Sequence, residues 1–217
     1  MTTQPRRFIA IEGPIGVGKT TLARRLAADL DAALLLEPVQ DNPFLADFYR
    51  EPQRFAFPLQ VQFLLARLDQ LETALADAEG PLVADYLLEK DRLFAENTLD
   101  GRAFALYEAL WARLVDALPQ PDLVIYLQAP VTVLQARIAA RGRRFERSIS
   151  ADYLARLDEA YTRFFHYYDA APLLIVNATE IDLVDNEDDY RRLFEQIHTV
   201  RSGRHYFNPV AAGRQAL

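Results

Sequence analysis

Residues 12–21 read EGPIGVGKTT, in which Gly13, Gly18, Lys19 and Thr20 match the pattern GxxxxGK[ST]. The match stands between RFIAIE (7–12), an apolar run of strand length, and TTLARRLAADL (20–30), whose apolar residues recur at helical spacing. A loop in this context connects a buried strand to a helix N-terminus. Gly16 lets the backbone pass close to a ligand, successive amides form a concave nest for phosphate oxygens, and the helix end adds partial positive charge. Lys19 is placed to reach the terminal phosphates, and the Thr20 hydroxyl to ligate Mg²⁺. Ile15, Val17 and Thr21 complete the stretch expected to touch the nucleotide.

The rest of the chain repeats the alternation of short apolar runs with longer periodic segments. Strands are expected at 7–12, 33–37, 81–86, 123–128 and 173–178. Helices are expected at 20–30, 43–50, 58–78, 91–97, 102–118, 130–141, 150–169 and 187–200, with Pro58 in the first turn of the long one. Strands that are apolar almost throughout and separated by helices predict an α/β fold, a five-stranded parallel sheet with helices on both faces. Such sheets bind ligands beyond the carboxyl ends of their strands. One domain is expected over 1–200, and 201–217, which shows no clear period, reads as a C-terminal tail.

Composition narrows the function. Lys and Arg total 24 against 31 Asp and Glu in 217 residues, a net charge of -7, which argues against extended contact with nucleic acid. There are no cysteines, so thiolate metal sites and a cysteine nucleophile are excluded. The four apolar residues after the two N-terminal arginines are too few for a signal peptide, and no apolar run approaches the ~18 residues needed to cross a bilayer. A soluble, cytoplasmic protein without membrane partners is expected.

Glu37 and Asp85 each lie at the C-terminal end of an expected strand, on the edge that carries the phosphate loop. A hydroxyl acceptor of a phosphoryl group needs a carboxylate to take its proton, and Mg²⁺ needs a hard oxygen ligand. Periodicity does not say which carboxylate does which. The one DxxG, Asp77 to Gly80, precedes a strand, and the late NATE lacks the residues needed to read guanine, so a GTPase switch is a poor fit. Further on, RIAARGRRFE carries Arg137, Arg141, Arg143 and Arg144 followed by Glu146. Arg137 and Arg141 are one turn apart on a shared helix face. An arginine-rich lid closing over transferring phosphates would supply planar donors and exclude water.

With these residues in view the chain resembles the deoxynucleoside kinase family, on LLLEPV, the spacing from FYREPQRFAFPLQ to FLLAR, VIYLQAP and RIAARGR in the same order. The resemblance implies a P-loop kinase fold and ATP-dependent, Mg²⁺-assisted phosphorylation of a deoxynucleoside 5′-hydroxyl. It makes Glu37 the base and puts Gln60 and Arg67 on the edge of the nucleobase. It also sets Tyr49 and the lid residue Glu146 on the sugar 3′-hydroxyl. Phe94 would stack on the base, and Asp91, paired with Arg67, would complete a purine edge. Lys19, Arg137 and Arg141 would stabilise charge on the moving group, with Arg141 and Arg143 on the nucleotide and Thr20 and Asp85 on the metal. Relatives suggest a homodimer through helix 102–118, which contains Trp111 among apolar neighbours, although burial in the core accounts for that helix equally well. One departure stands out: the family's arginine after the third-strand acid is Tyr86 here, and Lys90, one turn on, is expected to supply the charge. The rival readings are a nucleoside monophosphate kinase, such as a thymidylate kinase, and a nucleotide-binding regulatory protein with no acceptor.

Overall fold

The computed structural model describes residues 8–38, 41–115, 120–143, 146, 149–179, 181 and 186–209. Strand β1 (Phe8–Glu12) is buried throughout and runs into the phosphate loop and helix α1 (Lys19–Asp29). Then follow β2 (Ala33–Leu35), α2 (Leu45–Arg50), α3 (Pro52–Asp77) and β3 (Leu82–Ala84). Helices α4 (Lys90–Thr98) and α5 (Gly101–Leu114) lead to β4 (Leu123–Gln128). The chain closes with α6 (Val131–Arg141), α7 (Ala151–Tyr167), β5 (Leu173–Asn177), α8 (Glu187–Thr199) and β6 (Arg204–Phe207).

Helix starts follow local chemistry. Asp100 accepts from the amides of Arg102 and Ala103, Ser150 from Tyr153, and Asn186 from Asp188 and Asp189, each relieving amides that the first turn leaves unpaired. Helix α3 begins at Pro52, six residues before the Pro58 expected to open it, and Pro58 lies inside the helix. Its missing N–H and its ring against the preceding turn carry a cost of about 3 kcal/mol. Packing of Leu59, Leu64, Leu68 and Leu71 against the neighbouring elements offsets it.

All strand pairs are parallel, in the order β2-β3-β1-β4-β5-β6. Side chains alternate across the sheet, so Phe8 and Ala10 join the core under α3, α4, α5 and α7, while Ile9 and Ile11 join the core under α1, α6 and α8. Both faces are covered, as the unbroken apolar runs require. No helix among the described residues is long and apolar enough to cross a membrane.

The sheet has six strands rather than the expected five, because the segment assigned to a tail contributes β6, paired with β5 from Leu173↔Arg204 to Val176↔Phe207. Arg204 and Tyr206 are exposed, so this edge strand carries no apolar signal. Its ladder is reinforced by the Arg204 guanidinium, which donates to the carbonyls of Phe165, His166 and Tyr168 at 2.9, 2.8 and 3.3 Å and so caps the end of α7. Arg204→Ala should therefore lower Tm by roughly 2–8 °C, corresponding to about 1–2 kcal/mol, in calorimetry. An unchanged Tm would mean that the β5–β6 ladder holds the edge unaided.

Candidate active site

The phosphate loop is shaped by its glycines and by what packs over them. Gly16 has φ 87°, and a Cβ there would lie 2.8 Å from Ile138 Cγ1 and 3.0 Å from the Leu134 carbonyl oxygen, so helix α6 rests directly on the loop. Gly13 is buried below the loop, with its carbonyl accepting from Lys19 Nζ at 2.6 Å. The Pro14 carbonyl accepts from the same ammonium at 3.2 Å. Burial, and then the nearby Lys90, lower the Lys19 ammonium from its ordinary value, against the opposing pull of Glu12, Glu37 and Asp85. Ile15, Gly16, Val17, Gly18, Thr20 and Thr21 line the cavity above.

Asp85, one residue beyond β3, joins the two halves of the site. One carboxylate oxygen accepts from the Thr20 hydroxyl at 2.7 Å, and the other accepts from the backbone N–H of Glu37 at 2.5 Å. The Thr20 hydroxyl and the Asp85 carboxylate form a pair of hard oxygens beside Lys19. Among the described residues no cluster of three His, Cys, Asp or Glu is set to hold a metal. That pair suits Mg²⁺, which takes few protein oxygens and completes its shell with water and phosphate.

Glu37 projects into the same cavity as Lys19, its side chain 16% exposed. Its carboxylate pairs with Lys90 Nζ at 2.8 Å and with the Arg67 guanidinium, and Arg67 pairs at the same time with Asp91. Burial alone would raise the Glu37 carboxyl, but Lys90, Arg67 and Lys19 outweigh it and hold it well below the usual carboxylate range. Lys90 thus occupies the place expected for the charge missing at Tyr86. Tyr86 itself turns away, its hydroxyl donating to the Arg67 carbonyl at 3.3 Å.

The far end of the cavity sets polar groups of Gln60 and Arg67 beside the ring of Phe94. The Thr98 hydroxyl spends its proton on the Phe94 carbonyl at 2.7 Å, so it must accept from Gln60 Nε2 at 3.1 Å, which fixes the amide's orientation. Gln60 Oε1 is then buried without a partner, as are Arg67 Nε and, outside the cavity lining, Asp91 Oδ2. Buried polar atoms of this kind are costly unless a ligand engages them. Phe94 lines the cavity and meets Tyr161 edge-on at 6.2 Å. Burial pushes the Asp91 carboxyl up to about 6, the cations Arg67 and Lys90 offsetting this only in part.

In the lid, Arg141 holds Glu146 with two bonds of 3.0 and 2.7 Å, and Arg143 lies 3.6 Å from the same carboxylate. Tyr49 shares the cavity with Glu146, and its hydroxyl is pushed up by burial, then by Tyr153 and Glu146. Arg144 lies outside the described residues. Arg137 stands apart from the other lid arginines: it donates to the carbonyls of Val17 at 3.2 Å and Ala178 at 2.8 Å, tethering the phosphate loop to the end of β5. Of the NATEIDLVDNEDD segment, Ala178, Thr179 and Ile181 line the cavity, and residues 180 and 182–185 lie outside the described residues.

The cavity measures about 1200 Å³ and runs without a wall from the phosphate loop to Gln60 and Phe94. Sequence comparison agrees with this layout: a family description for deoxynucleoside kinases matches residues 9–201. The chain belongs to the deoxynucleoside kinase family. A deoxyguanosine kinase of Bacillus subtilis is 38% identical over 89% of this chain and 96% of the relative. The deoxyadenosine/deoxycytidine kinase of the same organism is 31% identical over 89% and 92%. Among solved structures, deoxyadenosine kinase from M. mycoides with bound dATP superposes with a TM-score of 0.78 at 26% identity, covering 89% of this chain and all of that one at 100%.

Sequence reasoning missed three groups in this kinase. Tyr153 and Tyr161 of α7 line the cavity, but aromatics at helical spacing carry no signal that separates lining from core. Glu12, fully buried beneath Gly13, was visible only as the single charge in FIAIE. Lys90→Ala should cut kcat/KM by at least roughly tenfold, since Glu37 loses one of its two paired cations and part of its orientation. Unchanged turnover and unchanged Michaelis constants for both substrates would remove Lys90 from the site.

Proposed function

We propose that this kinase uses ATP and Mg²⁺ to phosphorylate the 5′-hydroxyl of a purine deoxynucleoside, with Glu37 as the base. The observation that carries this reading is the common cavity of Glu37 and Lys19, with Asp85 bonded to the Glu37 amide and to Thr20 at once. In the reaction the 5′-oxygen bonds to the terminal phosphorus, the bond from that phosphorus to the bridging oxygen of ADP breaks, and the hydroxyl proton passes to Glu37. Lys19, the loop amides, Arg141 and Arg143 face the charge that spreads over the phosphoryl oxygens. Thr20 and Asp85 hold the metal, which when bound neutralises phosphate charge. Arg137 contributes by fixing the loop through Val17.

Tyr49 and Glu146 sit where the sugar would lie, and Gln60, Arg67 and Phe94 where the base would, while Asp91, fully buried and outside the cavity lining, acts through its pair with Arg67. The unpartnered Gln60 Oε1 accepts and Arg67 Nε donates, which matches the mixed edge of a purine. The name of the Bacillus subtilis deoxyguanosine kinase points the same way, while the second relative is named for both a purine and a pyrimidine. A monophosphate kinase is disfavoured because Arg67 and Lys90, the cations at the acceptor end, are already bound to Glu37 and Asp91. Helix α5 buries Tyr107 while leaving Leu106 and Leu114 exposed, and Leu65 of α3 is exposed too, which supports a homodimer through this face. Residues 116–118 of the expected helix 102–118 lie outside the described residues. A cytoplasmic location fits a soluble salvage enzyme.

Two experiments test the reading. Deoxyadenosine, deoxyguanosine, deoxycytidine, thymidine and dTMP are offered with labelled ATP, and a purine deoxynucleoside should give the highest kcat/KM. Preferred phosphorylation of dTMP would move the protein to the monophosphate kinases, and ATP binding without transfer to any acceptor would make it a regulatory protein. Glu37→Gln should lower kcat by roughly 10²–10⁴ with little change in nucleoside KM.

The pH profile offers a second check. Glu37, held low by its cations, stays ionised in weak acid, whereas Asp91 is pushed up to about 6. As pH falls through that value Asp91 takes a proton and loses its attraction for Arg67. Purine kcat/KM should therefore fall on the acid side, and Asp91→Asn should flatten that limb. A limb of unchanged position in Asp91→Asn would assign it to another group.

A further inference from the structure

A buried carboxylate with no assigned role lies directly under the phosphate loop. Glu12 is 0% exposed and does not line the cavity, so it touches neither substrate. It shares the face of β1 that carries Phe8 and Ala10, which turns it away from α1 and toward α7. Its charge is met by hydrogen bonds: Oε1 accepts from the Gly13 N–H at 2.7 Å and the Tyr161 O–H at 2.9 Å, and Oε2 accepts from the Leu87 N–H at 2.9 Å.

These donors belong to separate parts of the site. Gly13 opens the phosphate loop, and its carbonyl holds Lys19 Nζ at 2.6 Å. Leu87 lies in the turn between Asp85 and the pair Lys90 and Asp91. Tyr161 belongs to α7, lines the cavity, and meets Phe94 edge-on at 6.2 Å. We propose that Glu12 is a positioning residue for phosphoryl transfer, its carboxylate setting the donor loop, the acceptor-side turn and α7 at fixed separations.

The chemistry requires an acid. Both oxygens face donors, so a glutamine at this position would point its NH₂ at a second N–H or O–H in either orientation. A hydrophobic residue would leave the Gly13 and Leu87 amides buried and unpaired, a cost of ~1–3 kcal/mol for each. Burial, and then the Glu12 carboxylate itself, push the Tyr161 hydroxyl well above its ordinary value, so it remains a donor. A carboxylate taken wholly out of water is expensive. Its consequence here is geometric: Lys19 on one side and Asp85 with Lys90 on the other are referred to one rigid group. Reacting atoms displaced by ~1 Å lose about 10²-fold in rate.

The test compares Glu12→Gln, Tyr161→Phe and the double variant, using ATP with whichever of deoxyguanosine and deoxyadenosine turns over faster. Circular dichroism and Tm establish folding, and rates are taken well below each Tm so that kcat refers to folded enzyme. Glu12→Gln is expected to lower kcat by about 10- to 100-fold with nucleoside KM within about threefold of the parent. Tyr161→Phe, which keeps the ring against Phe94, is expected to lower kcat by about 3- to 10-fold. The double variant should match Glu12→Gln within about twofold, because one bond is being removed twice. A folded Glu12→Gln whose only change is a lower Tm, or losses that multiply in the double variant, overturns the proposal. If Glu12→Gln does not fold, Tyr161→Phe decides: an unchanged kcat overturns it, and a lowered kcat with parental nucleoside KM supports it.

Discussion

The site depends on four charges buried together. Glu37 from the end of β2, Arg67 from α3, and Lys90 and Asp91 from α4 form two acids and two bases whose partners are one another. Removing any one would leave a buried charge uncompensated, a loss on the order of 3–5 kcal/mol for such pairs. The network therefore locks α3 and α4 to the sheet edge where transfer takes place. It also fixes a charge, because the Glu37 carboxylate, held among cations, stays ionised well into acid.

A parallel sheet makes that arrangement possible. Its strand ends share one edge, so Glu12, Glu37 and Asp85, each at or just beyond a strand's carboxyl end, converge on the phosphate loop between β1 and α1. Helix α6 closes over the loop so tightly that Gly16 admits no side chain, and Arg137 from the same helix ties Val17 to Ala178. The lid helix and the donor loop are thus in direct contact. Glu146, at the other end of the lid, pairs with Arg141.

Much of this was legible along the chain. The apolar runs gave the strands that build the sheet's core, and the loop pattern between the first strand and helix gave the glycine-shaped turn at the mouth of the cavity. Gln60, Arg67 and Glu37, singled out by the family resemblance, line one cavity. Lys90 supplies a cation to Glu37 because the turn after β3 places it at the start of α4, beside the carboxylate. What escaped notice has physical reasons. The β6 strand is an exposed edge whose stability comes from backbone pairing and from Arg204 on α7, neither of which leaves an apolar period. Pro58 was read as a helix start because proline favours first turns, yet tertiary packing carried α3 past it.

The sequence by itself determined the local chemistry: a glycine-shaped anion nest, buried parallel strands, acids at their ends and a basic turn, all set by patterns spanning a few consecutive residues. Tertiary structure decided which groups meet. Thr20 bonds to Asp85 across 65 residues, Tyr161 to Glu12 across 149, and Arg137 to Val17 across 120. Periodicity says which face of an element is buried but not which distant element covers it. The partner of each buried charge is fixed only when the chain has folded and water has been excluded around it.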